Sequence, residues 1–312
     1  MYTEQRFVFM ALDPLHIGTG GYRLGRVDLS IAREPGTNLP KVPGTSLSGA
    51  ARAYAAYRYG KPQCAGQGQE GGPEGKGGHC RDADCPVCYT FGRLTGAEGS
   101  QAGRVSIGDA QVLLFPVHSL AGPVWVTTRA RLAEAGFRVP ELSLARSEFA
   151  TTLGEQPARL NVGWLLLARK AQEVTIEAPS PLAQAGGGAW QAVQHALVLV
   201  DDSLFPEVVN SNLEVRTSVS IDPATGAAKA GALFTYEALP RATWLWADLV
   251  EDDYRPGTFP AGAEKAKQLG HRRPLDVVRE GLRLAEYLGV GGMGTRGFGR
   301  LRSLADWEVS CG

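Results

Sequence analysis

The stretch Leu288-Gly289-Val290-Gly291-Gly292-Met293-Gly294-Thr295-Arg296-Gly297-Phe298-Gly299-Arg300 constrains this chain more than any other, because six of the eleven residues from Gly289 to Gly299 are glycine. Backbone this bare reaches conformations closed to other residues and brings N–H groups close to an anion. The segment before it reads as a helix, with Val277, Val278, Leu282, Ala285 and Leu288 at helical spacing over Pro274–Leu288, and residues 299–304 after it read as a strand. A dinucleotide-binding loop has the opposite order, strand then helix, so that class is disfavoured. A loop that grips phosphate and a purely structural glycine turn both remain open.

The rest of the chain reads as mixed structure. Residues 6–12 form a short β-rich apolar run that stops at Asp13-Pro14, where proline removes a ladder donor. A long loop follows over 16–43 with Gly18, Gly20, Gly21, Gly25 and Gly36, and then a helix with Thr45 or Ser46 as cap and Leu47, Ala50, Ala51, Tyr54 and Ala55 on one stripe. Residues 60–78 carry hardly any large apolar side chain and read as an inserted flexible loop. Further strands are expected over 104–117, 124–128, 164–167, 174–176 and 197–200. Glu214–Ile221 and residues 232–238 flank a Pro/Gly turn over 222–226 and make a long hairpin. The simplest arrangement is one α+β domain over 1–312, a ferredoxin-like (RRM-like) core with large insertions, among them residues 60–102 and a hairpin over about 214–238.

Charge narrows the function. Lys plus Arg and Asp plus Glu are balanced at 32 each, which argues against a sequence-blind nucleic-acid coat and requires any RNA site to be local. No apolar run is long enough for a membrane helix and the N-terminus has no basic leader, so a cytoplasmic protein without a membrane partner is expected.

Three groups of residues could carry chemistry besides the glycine loop. Asp28 lies on a glycine-bordered loop that also carries His16, where a carboxylate could hold a divalent metal, orient a ribose hydroxyl, or simply be solvated. Thr45, Ser46, Ser48 and Arg52 lie at or near a helix start, a place that suits phosphate and equally suits plain capping. Cys64, Cys80, Cys85 and Cys88 supply the four soft ligands of a structural zinc site, with His79 as a substitute and Cys311 unrelated. In a reducing compartment that spacing favours a zinc knuckle over disulfides.

Taken in order, His16-Ile17-Gly18-Thr19-Gly20, the helix start Pro43-Gly44-Thr45-Ser46-Leu47-Ser48-Gly49-Ala50-Ala51-Arg52 and the glycine loop resemble the RAMP superfamily of CRISPR-associated RNA-binding proteins. More narrowly, residues 108–119, 124–128 and 231–240 are similar to the fourth, backbone subunits of type III-B Cmr complexes. The resemblance implies an antiviral ribonucleoprotein in which copies of the chain stack as a filament on CRISPR RNA beside other Cmr subunits. It implies an endoribonuclease that cuts guide-complementary target RNA at regular intervals, leaving a 2′,3′-cyclic phosphate and a 5′-hydroxyl, with the hairpin as a thumb that interrupts the guide–target duplex. It assigns cleavage to Asp28 with a divalent metal, magnesium or manganese, and places His16 and Glu237 near the RNA as further catalytic candidates. It also puts RNA against Gly18, Gly20, Thr45, Ser46, Ser48, Arg52, Gly291, Gly292, Gly294, Thr295, Arg296 and Gly297. Ser48 stands where many relatives carry lysine, so a phosphate contact there is either missing or supplied by Lys41 or Arg52. The alternatives are a non-catalytic RNA scaffold in the same kind of complex and a metal-independent nuclease centred on His16 that trims precursor RNA.

Overall fold

The computed structural model describes residues 2–20, 27–66, 79–80, 82–94, 100–155, 157–185, 188–252, 254 and 258–309. Gly21, Gly25, Cys311 and residues 67–78 of the expected flexible loop lie outside the described residues.

Alternation along the first strand decides the layering. Tyr2–Ala11 sends Phe7, Phe9 and Ala11 into one core and Val8 and Met10 into another. Its antiparallel neighbour Trp244–Asp252 repeats the division, with Leu245, Ala247 and Leu249 against Trp244 and Trp246. A sheet apolar on both faces must be covered on both. Helices Gly44–Arg58 and Pro274–Leu288 cover the first face through Leu47, Ala51, Leu275, Val278, Leu282 and Ala285. Short helices Arg129–Glu134, Ser180–Ala183 and Ala189–Val193 cover the second through Leu132, Leu182, Trp190 and Val193.

Among the described residues the sheet has eleven strands, running from the closing strand Leu301–Glu308 through Tyr2–Ala11, Trp244–Asp252 and Ala110–Ser119, all antiparallel. It continues through Gly122–Thr127, Leu197–Leu199, Glu148–Thr151, Leu165–Arg169 and Arg159–Val162, while Lys41–Val42 pairs with Ala110–Ser119 and Val105–Ile107 with Trp244–Asp252 off this path. The two long helices touch backbone to backbone at Gly281, where a Cβ would lie 2.1 Å from the Ala51 carbonyl oxygen. Tyr54 adds a hydroxyl bond to the Gly289 carbonyl, tying the first helix to the start of the glycine loop.

The mixed α+β class and the helix over Pro274–Leu288 stand as expected. Three local expectations do not. Residues 174–176 form no strand: Val174 is buried in the second core, and among the described residues the ladder contact nearby is an isolated bridge between Arg138 and Glu177. Burial alone makes a β-branched run look like a strand in sequence. Leu288 is 55% exposed, since its helix ends at Gly289 and the chain turns away. Neither Thr45 nor Ser46 caps the first helix; Pro43 is the cap residue and no side chain bonds from it.

Candidate functional site

The site is built at the root of the hairpin. Glu214–Ile221 pairs with Ala228–Ala238 as a separate two-stranded sheet, with Gly226 taking a left-handed φ of 65° in the connecting turn. The loop after the first strand is laced along the second hairpin strand by main-chain bonds. Leu15 and Leu239 exchange N–H and C=O at 2.8 and 3.0 Å, Leu29 N donates to Thr235 O at 3.0 Å, and Glu237 N donates to Leu29 O at 3.2 Å. What looked like a polar loop is thus held almost as firmly as a strand.

His16 sits where the segments meet, 5% exposed, its ring edge-on to Tyr236 at 6.1 Å between centroids. Its Nδ1 lies 2.7 Å from the Glu237 carbonyl oxygen. A carbonyl only accepts, so Nδ1 is the donor in this contact. The glycine loop closes over this segment: Gly292 N donates to His16 O at 2.9 Å and Gly299 N to Pro14 O at 3.0 Å. At Gly291 the φ is 90°, and a Cβ would fall 2.3 Å from Ile17 Cδ1 and 2.6 Å from His16 O. Only glycine fits there.

Aromatic contacts lock the loop to the hairpin. Phe298 is buried edge-on to Tyr236 at 5.5 Å, Arg216 stacks on Phe298 at 4.6 Å and Arg296 on Phe234 at 5.1 Å. Outward, the structure presents Gly18, Gly20, Gly291, Gly292, Gly294, Thr295, Arg296 and Gly297 as one exposed run of backbone on two adjoining loops. Such a surface can approach a phosphodiester chain closely.

Asp28 is exposed, yet its carboxylate is fixed. Oδ2 accepts from Thr235 N at 2.7 Å and from Thr235 Oγ1 at 2.8 Å, while Asp28 N donates to Thr235 Oγ1 at 3.1 Å. The Thr235 amide first, and its hydroxyl second, hold the carboxyl below the usual carboxylate range. Oδ1 takes no part in these bonds.

Glu237 serves differently from the expectation. It is 7% exposed, and its Oε1 accepts from Ile31 N at 3.0 Å and from the Arg33 guanidinium at 2.6 Å. Arg33 also donates to Asn210 Oδ1 at 3.0 Å. The carboxylate is committed to pinning the loop that carries Asp28, which is a positioning task.

The helix start departs further. The amide of Gly44 is taken by Asp109 Oδ1 at 2.8 Å, and Lys41 pairs with the same carboxylate. An internal anion therefore already meets the positive end of this helix. Thr45 is exposed and Ser46 and Ser48 are half-buried there. Arg52, expected on phosphate, points inward and donates to Cys64 O at 2.8 Å, Phe91 O at 3.2 Å and Gly92 O at 3.0 Å. Its work is to pin the cysteine segment to the helix. Sequence reading missed Thr235, Arg33, Asn210 and Asp109; Gly108-Asp109 was part of a noted motif, but nothing in it pointed to a helix end.

The cysteines gather as expected. Sγ of Cys64, Cys80, Cys85 and Cys88 all lie within 4.8 Å of one another, with 3.5 Å between Cys88 and Cys64, 3.8 Å between Cys80 and Cys88 and 3.9 Å between Cys64 and Cys85. Tetrahedral zinc at ~2.3 Å from sulfur needs sulfurs ~3.8 Å apart, so the donors fit a metal ion such as zinc. His79 is outside this group. The Cys88 thiol's hydrogen bond lowers the Cys85 pKa, while burial raises that of Cys64.

A family model of the RAMP superfamily matches residues 8–302, and the chain belongs to that superfamily. Within it, the chain is similar to the CRISPR system Cmr endoribonuclease Cmr4 of Pyrococcus furiosus, 26% identical over 249 residues that cover 75% of this chain and 77% of that protein. Its fold is similar to a chain of the type III-B Cmr-beta complex bound to cognate target RNA, with a TM-score of 0.64, 18% identity and 96% and 97% of the two chains covered. It is likewise similar to oligomeric Cmr4 from Pyrococcus furiosus, with a TM-score of 0.59, 17% identity and 99% of each chain covered.

Proposed function

We propose that this chain is a CRISPR RNA-binding backbone subunit of a type III-B effector complex, stacked with copies of itself and other Cmr subunits, and that it cuts guide-matched target RNA at Asp28. The observation that carries the reading is the fixed, ionised Asp28 carboxylate on a loop laced to the same hairpin strand that the exposed glycine loop packs against. RNA would lie on the bare backbone of Gly18, Gly291 and Gly292, with Arg296 countering phosphate charge. The hairpin stands off the main sheet with Val219, Ile221 and Leu233 exposed, which suits a thumb pushed between guide and target. The antiparallel order Leu301–Glu308, Tyr2–Ala11, Trp244–Asp252, Ala110–Ser119 beneath two helices supports a ferredoxin-like core.

In the reaction the 2′-oxygen of one ribose attacks the adjacent phosphorus and loses its proton; the bond from phosphorus to the next 5′-oxygen breaks and that oxygen is protonated. Asp28 Oδ1 would align the attacking hydroxyl or hold a divalent cation, magnesium or manganese, which lends positive charge to the phosphoryl oxygens when bound. Among the described residues the cysteine set is the one group of three or more ligand side chains, so at Asp28 the cation would lean on RNA oxygens for its other ligands. His16, held through Nδ1 by the Glu237 carbonyl, would present Nε2 on the side of the RNA. No helix of the described residues is long and apolar enough to cross a membrane.

The test is a map of cut positions on guide-matched RNA treated with the reconstituted complex. Evenly spaced cuts ending in 2′,3′-cyclic phosphate and 5′-hydroxyl are expected; one irregular cut, or 3′-hydroxyl ends, would sink the reading.

We also propose that the cysteine set holds zinc. Protein purified without chelator is expected to contain about one zinc per chain, and Cys85→Ser to lose it and to open the segment around Cys64 and Cys88 to protease. Metal analysis finding none in wild-type protein would remove the site.

A further inference from the structure

Among the described residues Asp28 bonds through its carboxylate to one partner, Thr235, which was assigned no role in RNA chemistry by sequence. Thr235 gives the carboxylate two donors on one oxygen and takes the Asp28 amide on its own hydroxyl, closing a reciprocal ring of three hydrogen bonds at 2.7, 2.8 and 3.1 Å. We propose that Thr235 is the positioning residue of the cleavage site: by saturating Oδ2 from two directions it turns Oδ1 outward toward the RNA and stops the side chain from rotating.

Three features make the residue type matter. An exposed aspartate on a loop otherwise samples several rotamers, and each wrong rotamer removes the carboxylate from the reacting atoms. A β-branched side chain is stiff at χ1, so the Thr235 hydroxyl is itself presented in one direction. The second hairpin strand places Thr235 opposite Thr217 and beside Leu29, with a main-chain bond from Leu29 N to Thr235 O at 3.0 Å, so the donor pair cannot drift relative to the loop it serves. Valine keeps the shape and the amide donor and deletes only the hydroxyl; serine restores the hydroxyl without the methyl group.

The inference rests on the assignment of cleavage to Asp28, and its test keeps the two apart. In the assembled complex with guide-matched RNA, Thr235→Val is expected to cut at the same positions about 10- to 100-fold more slowly, in line with the cost of a small misplacement, with target affinity unchanged. Thr235→Ser is expected to return most of the rate. A third readout needs no cleavage: hydrogen exchange at the Thr235 amide of the isolated chain should quicken in Asp28→Ala, because that amide's acceptor is the carboxylate. Wild-type cutting by Thr235→Val alongside a silent Asp28→Asn overturns the proposal alone, as does unchanged exchange in Asp28→Ala. Wild-type cutting by Asp28→Asn removes the assignment beneath it and the proposal too.

Discussion

Replacing Asp28 by asparagine in the assembled complex should slow target cleavage about a thousandfold while leaving guide and target binding as they were. Asparagine keeps the size of the side chain, and its carbonyl oxygen can still accept from Thr235 N and Oγ1, so the loop has no reason to move. What disappears is the negative charge on the outward oxygen, the one feature that can draw a cation or take a hydrogen bond from a ribose hydroxyl. The wild-type carboxyl is held below its ordinary range by the Thr235 amide and hydroxyl. A group lowered in this way is charged throughout neutral pH and loses its charge only as pH falls through the lowered value, so the difference between wild type and variant should persist into mildly acidic solution. Single-turnover cleavage with saturating complex, beside a binding titration at fixed salt, separates the two effects. Equal cutting by both proteins would assign the chemistry to another subunit and leave this chain a scaffold.

Gly281→Ala should damage the fold. On helix propensity alone alanine would stabilise Pro274–Leu288 by about 1 kcal/mol. Its Cβ, however, would stand 2.1 Å from Ala51 O and 2.9 Å from Ala51 Cα, both main-chain atoms that no rotamer change can move aside. The helices must separate along a contact that buries Leu47, Val278 and Leu282, and overpacking of this kind costs about 3 kcal/mol. The steric cost exceeds the propensity gain by about 2 kcal/mol, so a fall in melting temperature of about 3 °C is expected by scanning calorimetry. An unchanged or higher midpoint would mean that the helices do not pack with this spacing.

How far these features could be read from sequence follows the range of the interactions. The helix Pro274–Leu288 announced itself through its apolar period and the glycine after it, both local. The hairpin did so through its turn, and the clustered cysteines through spacings that hold within one short segment. Asp28 was visible only as a carboxylate on a glycine-bordered loop, because the residue that gives it direction lies 207 positions away. Glu237 was placed near the RNA by resemblance, and the guanidinium that claims it is 204 positions distant. Arg52 misled because a cation near a helix start suggests phosphate, whereas three carbonyls left over by the cysteine segment needed a donor. Pattern reports what a residue can do; the fold decides which partner reaches it.

The lacing of the Asp28 loop to the hairpin has a mechanical consequence. Leu29, Glu237, Leu15 and Leu239 share main-chain bonds, so loop and strand form a single splint rather than a rod resting on a hinge. The tip around Pro223 is the far arm of that splint, and its root carries the carboxylate. The root moves with the loop bonded to it, so a tilt of the hairpin at its base would re-aim Asp28.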